Sequence, residues 1–151
     1  MRVVRWILLG LAGLLVVLQL VPYGRDHSNP PVTADAPWSS PEVRRLAVRA
    51  CYDCHSNETD WRWYSHVAPV SWLVKNHVDA GRRALNFSEW DRPQGEAREL
   101  AESLTEGSMP LRSYLMLHPS ARLSTSEKAK LLAALRELAP PRSDRGPQDH
   151  D

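Results

Sequence analysis

The chain has two cysteines, and both fall in one five-residue stretch, Cys51-Tyr52-Asp53-Cys54-His55. Two thiols cannot build a multi-bridge disulfide framework or a four-thiolate zinc site, so a domain with this pattern must draw its stability from something else. The spacing is C-x-x-C-H, the attachment signature of c-type haem. Thiols three residues apart on a helical turn can each add to one of the porphyrin's two vinyl groups. The adjacent imidazole then stands under the iron as the proximal ligand. Three other readings compete. A thioredoxin-like dithiol needs a βαβ setting. A disulfide closing so short a loop stabilises little. A zinc site from Cys51, Cys54 and histidines such as His55 and His66 makes awkward tetrahedral partners of the adjacent Cys54 and His55.

The pattern around the motif is helical, which predicts an all-α domain over residues 41–139. Ser40-Pro41-Glu42 reads as an N-cap with proline at the first helical position, opening a helix that runs through Cys51–His55. Val70, Leu73, Val74, His77, Val78, Gly81 and Leu85 recur at helical spacing and predict a helix over roughly 70–85. Ala97, Leu100, Ala101 and Leu104 predict a third, ending near Gly107 as the C′ residue. Ser124-Thr125-Ser126-Glu127 is a capping box before a stripe of Leu131, Leu132, Leu135 and Leu138, which Pro140 stops. No run alternates as a strand does. The stretches 56–69 and 107–123 have no regular pattern, and four short helices bury a modest core. A haem would supply the missing apolar centre.

Before the domain lies an uncharged run from Trp6 to Val21, preceded by Arg2 and Arg5. Its length and the lack of an Ala-x-Ala cleavage site favour an uncleaved transmembrane helix within residues 1–21 over a signal peptide. The two arginines would keep the N-terminus cytoplasmic, so the expectation is a single-pass inner-membrane protein whose domain faces the periplasm. Residues 22–40 hold four prolines and predict an extended tether, and 140–151 form a polar tail. Nineteen basic against 18 acidic residues leave a charge of +1, without the basic patch that nucleic-acid binding requires.

The distal side of the iron has several candidates. Gly107-Ser108-Met109-Pro110 follows the motif in an irregular stretch, and Met109 is the leading sixth ligand, kept extended by the proline after it. Met116, in the run Leu115-Met116-Leu117, reads as core. His66, His77 and His118 are the nitrogen competitors, and an open site is the third option. Trp61, Trp63, Trp72 and Trp90 crowd into 30 residues with Tyr64 and Phe87. Trp61, Trp63 and Trp72 are expected to line the cofactor and offer indole N–H groups to its propionates. Arg62, Arg82 and Arg83 are further propionate candidates, each competing with a role as a solvated charge. Pro69 is a candidate acceptor for the His55 Nδ1–H.

Five segments carry a family resemblance: Cys51–His55, Ser56-Asn57-Glu58-Thr59, Trp61-Arg62-Trp63-Tyr64-Ser65, Ala68-Pro69-Val70-Ser71-Trp72 and Leu85-Asn86-Phe87-Ser88-Glu89-Trp90. Together they resemble the bacterial haem-binding domain family, a cytochrome-c-like group, over roughly residues 23–139. Arg62 stands where that family has proline. The resemblance implies one covalent haem c, His55 as axial ligand and an exported, often membrane-tethered domain, and it names no reaction. The similarity to class I cytochromes c is looser, because the last helix has no aromatic residue. The expected activity is single-electron transfer with membrane redox proteins, with no enzymatic turnover. A peroxidase-like or gas-binding module would instead need an open sixth site.

Overall fold

The computed structural model describes residues 1–94 and 97–139. The all-α expectation holds: among the described residues there are seven α-helices, two short 3-10 turns, and one isolated bridge between Ala34 and Glu89 in place of any strand. The chain divides into two compact units, Met1–Asp35 with Cys51–Pro93, and Ala36–Ala50 with Gln94–Asp151.

The first unit begins with α1 (Arg2–Leu18), an apolar helix that buries none of its side chains. Its 17 residues span ~25 Å at 1.5 Å per residue, short of the ~30 Å hydrocarbon core. Among the described residues no helix is long and apolar enough to cross a membrane, and α1 falls short of the span expected within residues 1–21. At its C-terminal end Gln19, still helical in its backbone, reaches the body of the unit with its side chain. Its side-chain amide donates to Ala68 O at 3.0 Å and accepts from Ala68 N at 2.9 Å.

The expected tether is also different. Residues 22–35 form no helix, yet they are strapped to the unit along their length. His27 bonds Ser65 O, Asn29 donates to Thr59 O, Pro31 O accepts from Asn57, and the N–H groups of Thr33 and Ala34 both reach Ser88 O. Gly24 lies against α4 (Val70–Ala84) at φ +79°, and a Cβ there would meet Ser71 O at 2.9 Å. The helix expected to run from Ser40 through His55 breaks at Cys51 (φ −128°, ψ −35°), giving α2 (Pro41–Ala50) in the second unit and the single turn α3 (Tyr52–His55) in the first. Alpha helix α4 falls where the periodicity places it, and Val78, Gly81 and Leu85 of the expected stripe turn inward, but its first turn does not follow the stripe. Ser71, Val78 and Gly81 are buried, while Val70 and Leu73 are exposed.

The second unit has a conventional apolar core. Val43, Leu46, Ala47 and Ala50 make one face of α2. Leu100, Ala101 and Leu104 belong to α5 (Ala97–Glu106), and Leu131, Ala134 and Leu135 to α7 (Thr125–Leu138). Alpha helix α5 packs on α7, and so does α2. Gly107 ends α5 at φ +78°, as its position predicts, and the N–H groups of Ser108 and Met109 return to Ser103 O. The stretch 107–123 is more ordered than its pattern suggests, with α6 (Arg112–Leu117) and a 3-10 turn at Pro119–Ala121. Met116 is 75% exposed, which corrects its reading as core: its helix is too short to bury both sides, and the inward position goes to His118, stacked 3.9 Å from Tyr114 with Nδ1 donating to Tyr114 O.

The capping box of α7 forms as expected. Glu127 accepts from the Ser124 N–H and from Arg49, and these bonds, the backbone one first, hold its carboxyl at about 2 against an ordinary 4.5. A carboxyl depressed in the folded state stabilises above its unfolded pKa, and the contribution disappears as pH falls toward the folded value. Comparing thermal midpoints of the wild type and Glu127→Gln, the gap is therefore expected to be widest above pH 5 and to close near pH 2. A gap independent of pH would contradict this.

Candidate functional site

Alpha turn α3 and the residue before it place the three motif side chains. Cys51 O accepts from the N–H groups of both Cys54 (3.1 Å) and His55 (2.9 Å), so one turn carries two thiols and an imidazole. Both thiols are unbridged and partly exposed as residues. Burial pushes the Cys51 thiol up to about 12, with Cys54 adding to the effect. Burial pushes Cys54 up to about 11; the Asp53 charge raises it further and Arg82 opposes. These are neutral thiols at pH 7, the reverse of the depressed thiol that drives disulfide exchange. The zinc reading lacks support as well: among the described residues no three of His, Cys, Asp and Glu gather as a metal site.

His55 is 8% exposed and its Nδ1–H donates to Leu85 O at 3.2 Å. This bond puts the lone pair on Nε2, the nitrogen that coordinates iron in a c-type site. The expected acceptor, Pro69, is occupied otherwise: its carbonyl takes the N–H groups of Trp72 and Leu73 in the first turn of α4. Leu85 was missed because its role is local to a helix end. It caps α4 in extended geometry (φ −157°, ψ 134°), where terminal carbonyls have no intrahelical donor and turn to other partners. The predicted end of the 70–85 helix was the available signal.

Behind the motif, the segment after α4 acts as a latch. Phe87 N donates to His55 O at 2.8 Å, Asn57 N to the Ser88 hydroxyl at 3.0 Å, and Asn86 Nδ2 to Asn57 Oδ1 at 2.8 Å. Tyr52, Phe87 and Trp90 stack in sequence, with centroids 5.5 and 6.2 Å apart, and the Tyr52 hydroxyl donates to Asp35. Asn57, Asn86 and Ser88 carry no chemistry by composition, and only their mutual hydrogen bonds reveal them. On the other side, α4 passes so close to α3 that a Cβ on Gly81 would lie 2.3 Å from Cys54 O.

The expected lining residues separate. Trp61, half-buried, donates from Nε1 to Asn29 and stands 4.8 Å from His27, so its N–H serves the strap. Trp63 is 78% exposed and meets Tyr64 edge-on. Trp72 has a buried Nε1–H with no hydrogen-bond partner, a donor of the kind a carboxylate on a bound group would satisfy. Arg62 pairs with Asp60. Arg82, a propionate candidate, instead bonds Ser56 O, Ser28 O, Asn29 and Thr59, tying the strap to the loop after the motif. Met109 belongs to the second unit, part-exposed in the loop after α5.

The donor set fits a haem: two unbridged thiols one helical turn apart, an adjacent imidazole with Nε2 as acceptor, and an unsatisfied indole donor in the same unit. Comparison with known families agrees, since the model described as "Haem-binding domain" matches residues 13–137. No curated protein and no solved structure matches the chain.

Proposed function

The chain belongs to the haem-binding domain family, and from that premise we propose that it is a c-type cytochrome: one haem held covalently by Cys51 and Cys54, single electrons exchanged with membrane redox proteins on the periplasmic side, and α1 anchoring the chain in the inner membrane. The observation that carries the reading is the one-turn grip of Cys51, Cys54 and His55, with His55 Nδ1–H on Leu85 O. When bound, the haem supplies a one-electron couple at its iron.

The chain's own residues account for the rest. Cys51 and Cys54 would hold the porphyrin edge, which prevents loss of the cofactor. Leu85 fixes the His55 tautomer and ring orientation, so Nε2 is the nitrogen presented as a ligand. Met109 is the second residue that would hold the iron. A thioether there would raise the potential of the couple, as suits a carrier. The apolar α1 gives the anchor, with a thinned bilayer accommodating its length, and Arg2 and Arg5 orient it. Anchoring keeps the site at high effective concentration for membrane partners.

The test is a visible spectrum and a redox titration of the natively matured protein. The oxidised form is expected to have the weak red absorption of a ferric–sulfur bond. Met109→Ala should remove it and lower the potential by on the order of 0.1 V, a fraction of the ~0.8 V that axial ligands span. An unchanged red band would eliminate Met109, and rapid cyanide binding by the wild type would eliminate the carrier reading.

A further inference from the structure

The first unit has an apolar face where it meets the end of α1. We propose that this face, made of Leu20, Val21, Val67, Val70 and Leu73, is seated on the lipid bilayer at the boundary between headgroups and acyl chains. The proposal rests on the anchoring of α1 read above and says what anchoring alone does not: the body of the unit, and not only its helix, touches lipid.

Three observations carry it. The first is the absence of slack. Gln19 directly follows α1, and both polar atoms of its amide are bonded to the backbone of Ala68. The strap that follows is fastened at His27, Asn29 and Pro31, so a membrane holding α1 also holds the Val67–Val70 segment beside it. The second is the exposure. Leu20 is 72% exposed and Leu73 51%, and Val21, Val67 and Val70 are exposed as well. Single exposed apolar side chains need no explanation, but five that flank one clamp at the end of an apolar helix form a patch of the kind that marks an interaction site.

The third is the gradient along α4. Its outward positions read Val70, Leu73, Asn76, Ala80 and Arg83, all exposed. The apolar pair lies at the end next to Gln19, and the charge lies ~20 Å away along the helix. A protein partner has no need of such a gradient, whereas a bilayer surface imposes one. Two more side chains agree. Arg25 donates to Gln19 O, which sets a cation at the end of α1 where phosphates would lie. The exposed Trp63 stands one turn before Val67, and indoles favour the membrane interface.

The test uses the full-length holoprotein in vesicles of phosphatidylethanolamine and phosphatidylglycerol, with p-benzoylphenylalanine introduced at one position at a time: Leu9→p-benzoylphenylalanine in α1, Leu73→p-benzoylphenylalanine in the face, and Ala80→p-benzoylphenylalanine farther along α4. After irradiation, lipid adducts are read by mass spectrometry. The expected result is lipid capture at 9 and at 73, with about tenfold less at 80. Capture at 9 without capture at 73 overturns the seat and leaves the anchor standing. No capture at 9 or at 73 overturns the seat and the anchor together. Cross-linking of the probe at 73 to a protein, with no lipid adduct, assigns the face to a partner and overturns the seat.

Discussion

Replacing Cys51 and Cys54 together by serine is expected to abolish the covalent haem and to loosen the first unit while sparing the second. The asymmetry follows from what each unit buries. Among the described residues the second has twelve buried apolar residues, from Ala36 to Leu135, against one buried polar residue, His118. The first has five, Tyr52, Ala68, Val78, Leu85 and Phe87, against eight polar ones: His55, Ser56, Asn57, Thr59, Ser65, Ser71, Asn86 and Ser88. A hydrogen bond contributes only about 1 kcal/mol net, because water offered an equivalent one, whereas a fully buried large apolar side chain contributes about 1.5–3 kcal/mol. A unit built mainly from polar contacts needs an apolar body in its centre, and a haem is such a body.

The measurement pairs intact mass with amide exchange. Wild type should carry the mass of one haem and stain for it after denaturing electrophoresis, and Cys51→Ser/Cys54→Ser should do neither. Exchange should accelerate over residues 51–93 in the double variant, while α7 stays protected. If the double variant keeps a denaturation-resistant haem, the attachment is wrong. If exchange is unchanged in both units, the cofactor is not part of the first unit's core.

How much of this was legible in the sequence depended on how local the physics was. The helices α4, α5 and α7 were readable because periodicity and capping are written within a few residues: Ser124 with Glu127, Gly107 after Leu104. The motif was readable for the same reason, since its chemistry fits inside five residues. The break at Cys51 was not. Cys51 completes the apolar pattern of α2, and only its own dihedrals turn α3 away. Nor were the long-range bonds. Proline content correctly denied a helix to residues 22–35, but prolines leave side chains and carbonyls available for docking, and Asn29, Pro31 and Thr33 use them. Apolar character was read as burial at Val70, Leu73 and Met116, although which face turns inward is decided by the neighbour, not by the helix.

Among the described glycines, Gly81 should be the one least tolerant of a single added methyl in a helix. On propensity alone the substitution helps, because alanine in a helix interior is favoured over glycine by about 1 kcal/mol. Glycine is required here for space: Gly81 is helical, and its backbone has no positive φ to excuse it. The added Cβ would lie 2.3 Å from Cys54 O, 2.8 Å from Cys54 C and 3.1 Å from Cys54 Cβ. Two of those atoms are backbone and cannot rotate away, so α3 and α4 must separate by about 1 Å to restore ordinary contact. Overpacking of this kind costs about 1–3 kcal/mol and more where backbone must move, which outweighs the propensity gain. The movement also has a chemical consequence. His55 sits one residue beyond Cys54, and its 3.2 Å bond to Leu85 O spans the same two helices. Separation weakens that bond and misplaces the imidazole relative to the thiols. Gly81→Ala is therefore expected to lower the urea midpoint, equivalent to about 2 kcal/mol net, and to reduce the yield of covalent haem. Gly13→Ala, where nothing lies within 4 Å of the new methyl, serves as the control and should do neither. A Gly81→Ala protein as stable and as fully loaded as the wild type would mean that α3 does not pack on α4 through Cys54, and the geometry assigned to His55 would fall with it.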